Sequence, residues 1–143
     1  MQEVIHKYRR YHVITGYNAE LIANVLKKCG SEATKATLNY VRAVKFYSGK
    51  NFYSISCENK GILIGNYTKS HFRLAELAVV KEEQGKGMGT ALLNKLKADC
   101  LKRHIPKITL RTSRNEDAYK WYQIQGGQIT GVNGSDYEME ISL

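Results

Sequence analysis

Apolar residues along the chain switch between two rhythms, one of period two and one of three to four. β-formers dominate residues 3–14 (Val4, Ile5, Tyr8, Tyr11, Val13, Ile14) and predict a first strand. Leu21, Ile22, Val25, Leu26 and Cys29 then recur at helical spacing behind Asn18, whose side chain suits an N-cap. Gly30 stands where a C-cap glycine belongs. Ser31 is placed to cap a second helix, with Leu38, Val41 and Val44 on its apolar stripe and Gly49 near its end.

From residue 52 strands take over. Residues 52–57 alternate, Asn59-Lys60-Gly61 reads as a tight turn, Ile62-Leu63-Ile64 opens a second strand, and the apolar run 74–80 suits a buried third. A longer helix is predicted from about Gly87 to Lys102, with Leu92, Leu93, Leu96 and Cys100 on its buried face and Asn94, Lys95 and Asp99 opposite. Pro106 marks its end. Residues 108–112 read as a buried strand, and 116–125 as a short helix closed by Gly126-Gly127. The last segment reads as a hairpin: residues 128–132, an Asn133-Gly134 turn, then Tyr137, Met139 and Ile141 alternating with Glu138, Glu140 and Ser142. Strands with helices packed on them give a mixed α/β (α+β) domain. No repeat or linker interrupts the pattern, so residues 1–143 read as one domain.

Composition narrows the class. Hydrophobic residues make up 43% and charged residues 24% of the 143, which excludes a disordered or fibrous chain. No run approaches the roughly 20 apolar residues of a membrane span, and the N-terminus lacks the apolar core of a secretory signal. Cys29, Cys57 and Cys100 are odd in number and form no CxxC pair. They predict reduced thiols, a cytoplasmic location, and small buried hydrophobes rather than nucleophiles. His6, His12, His71 and His104 show no metal-like spacing, so no metal is assigned. The net charge is +9, of which residues 1–50 hold +6. Such an excess concentrates anions, whether a nucleotide cofactor, a nucleic acid or an acidic partner, although solvated lysines that only aid solubility give the same count.

The segment Gln84-Gly85-Lys86-Gly87-Met88-Gly89-Thr90 lies between a predicted strand and a predicted helix. Glycines there let backbone N–H groups converge, and the helix N-terminus adds positive potential, which makes a phosphate nest. The dinucleotide fingerprint fails, because Thr90 stands at its third glycine and the acid that should follow is missing; the P-loop spacing is absent too. Gln84, Gly87 and Gly89 fit Gln/Arg-x-x-Gly-x-Gly, which resembles the pyrophosphate loop of the GNAT superfamily of acetyl-CoA-dependent N-acetyltransferases.

The flanks strengthen that resemblance. Residues 77–83 precede the loop with the family's strand spacing, although Lys81 replaces a frequent proline, and Leu92 and Leu93 follow where its helix turns inward. Asn115, Ala118, Tyr122 and Gly126 match N-x-x-A-x-x-x-Y-x-x-x-G, with Gly127 where an aromatic is usual. The Met139 strand suits the family's closing hairpin. The motifs cover about residues 74–143, and only topology extends the likeness to 1–73. The resemblance implies a mixed, mostly antiparallel sheet with a central splay, flanked by about four helices.

It also implies a chemistry. Pyrophosphate would rest on the N–H groups of Gln84, Gly85, Lys86, Gly87, Met88, Gly89 and Thr90, and the pantetheine arm would lie along Leu77, Ala78 and Val79. Asn115 reads as a helix N-cap, a pantetheine ligand, or both. A backbone N–H near Val79 would face the thioester oxygen, a contact typically worth about 10²–10³ in rate. Tyr122 stands at the family's general-acid position; the alternative is a core tyrosine. A lysine-type amine has a pKa near 10.4 and attacks only when neutral, so a base is expected. Glu76 is the candidate, against the alternative of a surface glutamate. Tyr119 and Trp121 read as packing.

The implied function is transfer of an acetyl group from acetyl-CoA to a primary amine, by direct attack in a ternary complex. The acceptor would be a small molecule or peptide, and the basic first third favours an anionic one. Two alternatives stay open: a non-catalytic acyl-CoA or nucleic-acid binding module on the same fold, and an acyltransferase acting on aminoacyl-tRNA, for which no RNA-binding motif speaks. A homodimer is expected by analogy, and no membrane partner.

Overall fold

Asn18 starts the first helix as its sequence predicts, accepting the Leu21 N–H on its side-chain oxygen at 3.0 Å. In the computed structural model, which describes residues 11–30 and 34–143, this helix (α1, Ala19–Lys28) follows a short strand (β1, Val13–Thr15). The rest of the expected first strand and the expected Ser31 cap lie outside the described residues. Helix α2 (Thr34–Ser48) leads into β2 (Phe52–Cys57), β3 (Gly61–Tyr67) and β4 (Phe72–Val79). Helix α3 (Met88–Lys102), β5 (Lys107–Ser113), α4 (Ala118–Ile124), β6 (Gly127–Asn133) and β7 (Asp136–Ser142) complete the chain. The β2–β3 turn is one residue earlier than expected: Glu58 and Asn59 take positive φ, and Lys60 N–H closes onto the Cys57 carbonyl at 2.9 Å.

The strands form one sheet in the order β1-β2-β3-β4-β5-β7-β6. Neighbours are antiparallel except β4 and β5, which run parallel and pair only at Phe72↔Ile108 and Arg73↔Thr109. Beyond those residues no ladder joins them, and the sheet splays. The mixed α/β class and the mostly antiparallel, splayed sheet with four helices among the described residues are as the sequence implies.

Helices cover both faces. Met88, Leu92, Leu93, Leu96 and Cys100 of α3, with Tyr122 of α4, pack against Ile55, Leu63, Phe72 and Leu74 of the sheet. On the other face Ile22, Val25 and Leu26 of α1 and Val41 of α2 cover Ile62, Ile64 and Val80. A bulge in β4 decides which side chains face which layer. Register passes from Gly65↔Leu74 to Ile64↔Glu76, so Ala75 is the extra residue. Phe72 and Leu74 before it, and Leu77 and Val79 after it, consequently share the α3 face. Glu76, Ala78 and Val80 take the α1/α2 face. The bulge needs Gly65, because a Cβ there would lie 2.6 Å from the Phe72 ring.

Three expectations need correction. The short helix starts at Ala118 with Asp117 as its N-cap residue, so Asn115 is not the cap. It ends at Ile124 rather than Gln125. Cys57 and Cys100 are buried as expected, but Cys29 is exposed at the end of α1, where the helix C-cap opens its apolar face. Among the described residues no helix is long and apolar enough to cross a membrane.

Candidate active site

Strand β4 supplies the backbone of the site. Val80 N–H donates to the Lys60 carbonyl at 2.9 Å, next to the Gly61↔Val79 pair. Antiparallel partners alternate between bonded and non-bonded pairs, so Ala78 directs its N–H and C=O to β3 while Leu77 and Val79 direct theirs away. That direction is the splay. The Val79 carbonyl confirms the orientation, accepting from Gln84 Nε2 at 2.9 Å and Cys29 Sγ at 3.3 Å. The N–H groups of Leu77 and Val79 therefore point into the splay without a ladder partner.

The glycine loop closes one end. Gly85 and Gly87 have φ of +76° and +101°, a region that L side chains rarely adopt, and Gly87 is the N-cap residue of α3. No side chain caps that helix start, which leaves the first-turn N–H groups available to an anion. Gly89 matters for its size instead. A Cβ there would meet Trp121 at 3.3 Å and Val79 at 3.9 Å, so its smallness seats the helix start against the end of β4. The loop is held from below. Tyr11 O–H reaches the Lys86 carbonyl at 3.2 Å and Glu83 at 3.4 Å, and buried Glu83 pairs with Lys60 at 3.5 Å.

Two ionisable groups on opposite faces of the sheet influence each other, Tyr122 on the α3 side and Glu76 on the α1/α2 side. Tyr122 is only 9% exposed. Burial, and then the nearby Glu76 charge, push its pKa above that of an ordinary tyrosine. Glu76 is half-buried, and burial raises its carboxyl pKa; a hydrogen bond donated by the Tyr40 hydroxyl of α2 partly offsets the rise. The Cys29 thiol is likewise raised by burial, then by the Glu82 and Glu76 charges.

A cleft of about 840 Å³ opens between β4 and the helix pair, walled by Leu26, Cys29 and Gly30 of the α1 end, Ala36, Thr37 and Tyr40 of α2, Glu76 to Val79, Gln84 and Glu116. Of the expected site residues, Glu76, Leu77, Ala78, Val79 and Gln84 line it. Gly85, Lys86, Gly87, Met88, Gly89 and Thr90 stand beside it, and fully buried Met88 can offer only its backbone. Thr90 already accepts from Gln125 Nε2 at 3.2 Å. Asn115 is exposed and outside the cleft wall, which its neighbour Glu116 joins instead. Tyr40, Thr37, Cys29 and Glu116 join the wall without a sequence motif that marks them. Lys27, Lys28, Lys35, Arg42 and Lys45 are exposed, as expected of the outward faces of the two helices, and do not line the cleft.

Residues 27–134 match the family model described as an acetyltransferase (GNAT) domain. The chain belongs to the GNAT acetyltransferase family. Solved GNAT-type structures share the fold of this chain at low identity. The PaiA N-acetyltransferase of Thermoplasma acidophilum in complex with coenzyme A is 16% identical over 94% of this chain and 100% of its own, with a TM-score of 0.76. An acetyltransferase from Thermus thermophilus is 14% identical over 95% and 99%, with a TM-score of 0.79. The ribosomal-protein-S18-alanine N-acetyltransferase of Escherichia coli is 15% identical over 93% and 94%, with a TM-score of 0.71. No curated protein matches the sequence.

One departure of this GNAT chain from its family pattern has a local cause. A Cβ on buried Gly127 would lie 2.7 Å from the Tyr122 carbonyl, so no aromatic fits there unless α4 moves.

Proposed function

We propose that the protein transfers the acetyl group of acetyl-CoA directly to a primary amine, with Glu76 as general base and Tyr122 as general acid. The observation that carries this reading is the splay itself: two unladdered N–H groups, Leu77 and Val79, point into the gap beside Glu76, whose charge is felt at Tyr122. The donor would contribute an activated thioester. The N–H groups of residues 85–90 would hold its pyrophosphate, and those of Leu77 and Val79 its pantetheine amide and thioester oxygen. Asn115 remains a proposed contact at the mouth of the splay.

In the transfer the amine nitrogen bonds to the acyl carbon and the C–S bond breaks. Glu76 takes the proton the amine loses, directly or through water, and Tyr122 gives its proton to the departing sulfur. A carboxyl raised above its ordinary range is a better base for an ammonium, whereas the raised Tyr122 stays protonated but is a weaker acid, so its donation relies on placement beside the departing sulfur. Cys29 is poorly suited to carry the acyl group, because its raised pKa keeps it a thiol, which supports direct attack over a covalent relay.

We take residues 1–143 as one domain, since β1 and the whole of β7 join the sheet formed by the family-matching segment. The test is a turnover screen with acetyl-CoA over amines, peptides and charged tRNA, read by release of CoA thiol. The reading predicts thiol release with at least one amine. Binding of acetyl-CoA without release for any acceptor class would favour a binding module instead.

A further inference from the structure

We infer that the acceptor is an amine with a second positive charge, held at Glu116 while the reacting nitrogen lies at Glu76. This rests on the acyltransferase reading above and names its substrate class. The chain carries +9, yet the charged side chains that line the 840 Å³ cleft are Glu76 and Glu116; among the described residues no lysine or arginine does. Two cations of the covering helices are engaged elsewhere. Arg42 pairs with Glu20 at 3.2 Å, and Lys45 sits 4.3 Å from the centre of the Tyr17 ring. The field at long range is thus positive, while the cleft is negative.

One further feature of the cleft suits a cation: the Tyr40 ring is 44% exposed in the wall beside Glu76, a face on which an ammonium can rest. A monoamine would use Glu76 alone and leave Glu116 idle. An amino acid-type acceptor would bring its carboxylate against Glu116. A diamine uses both acids, each in a charge-assisted contact.

The test compares 1,4-diaminobutane, 1-aminobutane and 4-aminobutanoate, which differ only in the far terminus, with diamines of graded length beside them. Steady-state turnover is read with acetyl-CoA, and binding by calorimetry in the presence of CoA. The diamine should have a KM about tenfold below the monoamine, the size of one charge-assisted contact, and the carboxylate should be the poorest acceptor. Glu116→Gln should raise the diamine KM to that of the monoamine, leave kcat unchanged and leave the monoamine KM unchanged. Equal KM values for diamine and monoamine, preference for 4-aminobutanoate, or a diamine KM indifferent to Glu116→Gln would each overturn the inference while the acyltransferase reading stands. Glu116-dependent diamine binding without any turnover would sustain the inference and defeat that reading. Neither binding nor turnover of any diamine would end the inference as well.

Discussion

Glu76 pays a stability cost for its position. Burial raises its folded-state pKa above the unfolded value, so its contribution to stability is fully present below the ordinary glutamate range and is lost as pH rises through the folded pKa. Glu76→Gln should therefore give a more stable free protein at neutral pH, an advantage that disappears in acid, while turnover collapses. Melting curves of both proteins at the two pH values check the sign; a variant less stable at neutral pH would contradict it. The Tyr40 hydrogen bond favours the carboxylate, so Tyr40→Phe should move the acid limb of kcat/KM against pH upward. An unmoved limb would mean that Tyr40 does not tune the base. Tyr122→Phe keeps the ring that packs against α3 but loses the proton, and should lower kcat by about 10²–10⁴ with donor affinity retained. Full turnover in that variant would reduce Tyr122 to packing.

At the scale of elements, the bulge at Ala75 with Gly65, and the glycines Gly87 and Gly127, set the geometry. Gly87→Val forces a β-branched side chain onto a φ of +101° and should abolish CoA binding in a folded protein. Unchanged CoA affinity would remove the phosphate from this loop. Gly127→Ala pushes a methyl against the Tyr122 carbonyl; overpacking of this kind costs about 1–3 kcal/mol in a denaturant titration, and should also slow turnover by shifting α4. Much of this geometry is legible in the sequence. Asn18 as a cap, the α3 stripe and the closing hairpin follow from local periodicity, and the motif residues lead to β4, the loop and Tyr122. The bulge is not, since residues 74–80 read as one apolar run in which Ala75 and Ala78 hide the change of phase. Nor are Tyr40 and Glu116. Which exposed residue of α2 faces β4, and how a loop without periodicity returns to the cleft, depend on the docking of elements rather than on any local pattern. Cys29 departs from its expected burial because it continues an apolar stripe one step beyond the surface that covers it.

Over the whole molecule, one sheet from Val13 to Ser142 is opened at a single point, and the acids and N–H groups collect there. Charge is distributed in the opposite sense. Among the described residues most lysines and arginines are exposed, where they can draw an anionic donor from solution but are screened within a Debye length of about 8 Å at physiological salt. A ligand built for the splay should stabilise the whole domain: acetyl-CoA at 100 times its dissociation constant adds about 2.7 kcal/mol, and NAD or ATP at the same concentration far less. Equal shifts in melting temperature for all three would mean that the loop is a general anion nest. The most direct test of direct transfer is mass spectrometry of a reaction holding the protein, acetyl-CoA and a diamine. The account predicts N-acetylated amine equal in amount to the CoA thiol released, and no acetyl group on the protein when the amine is left out. Acetyl-Cys29 formed without the amine, or thiol released with no acetylated amine, would contradict it.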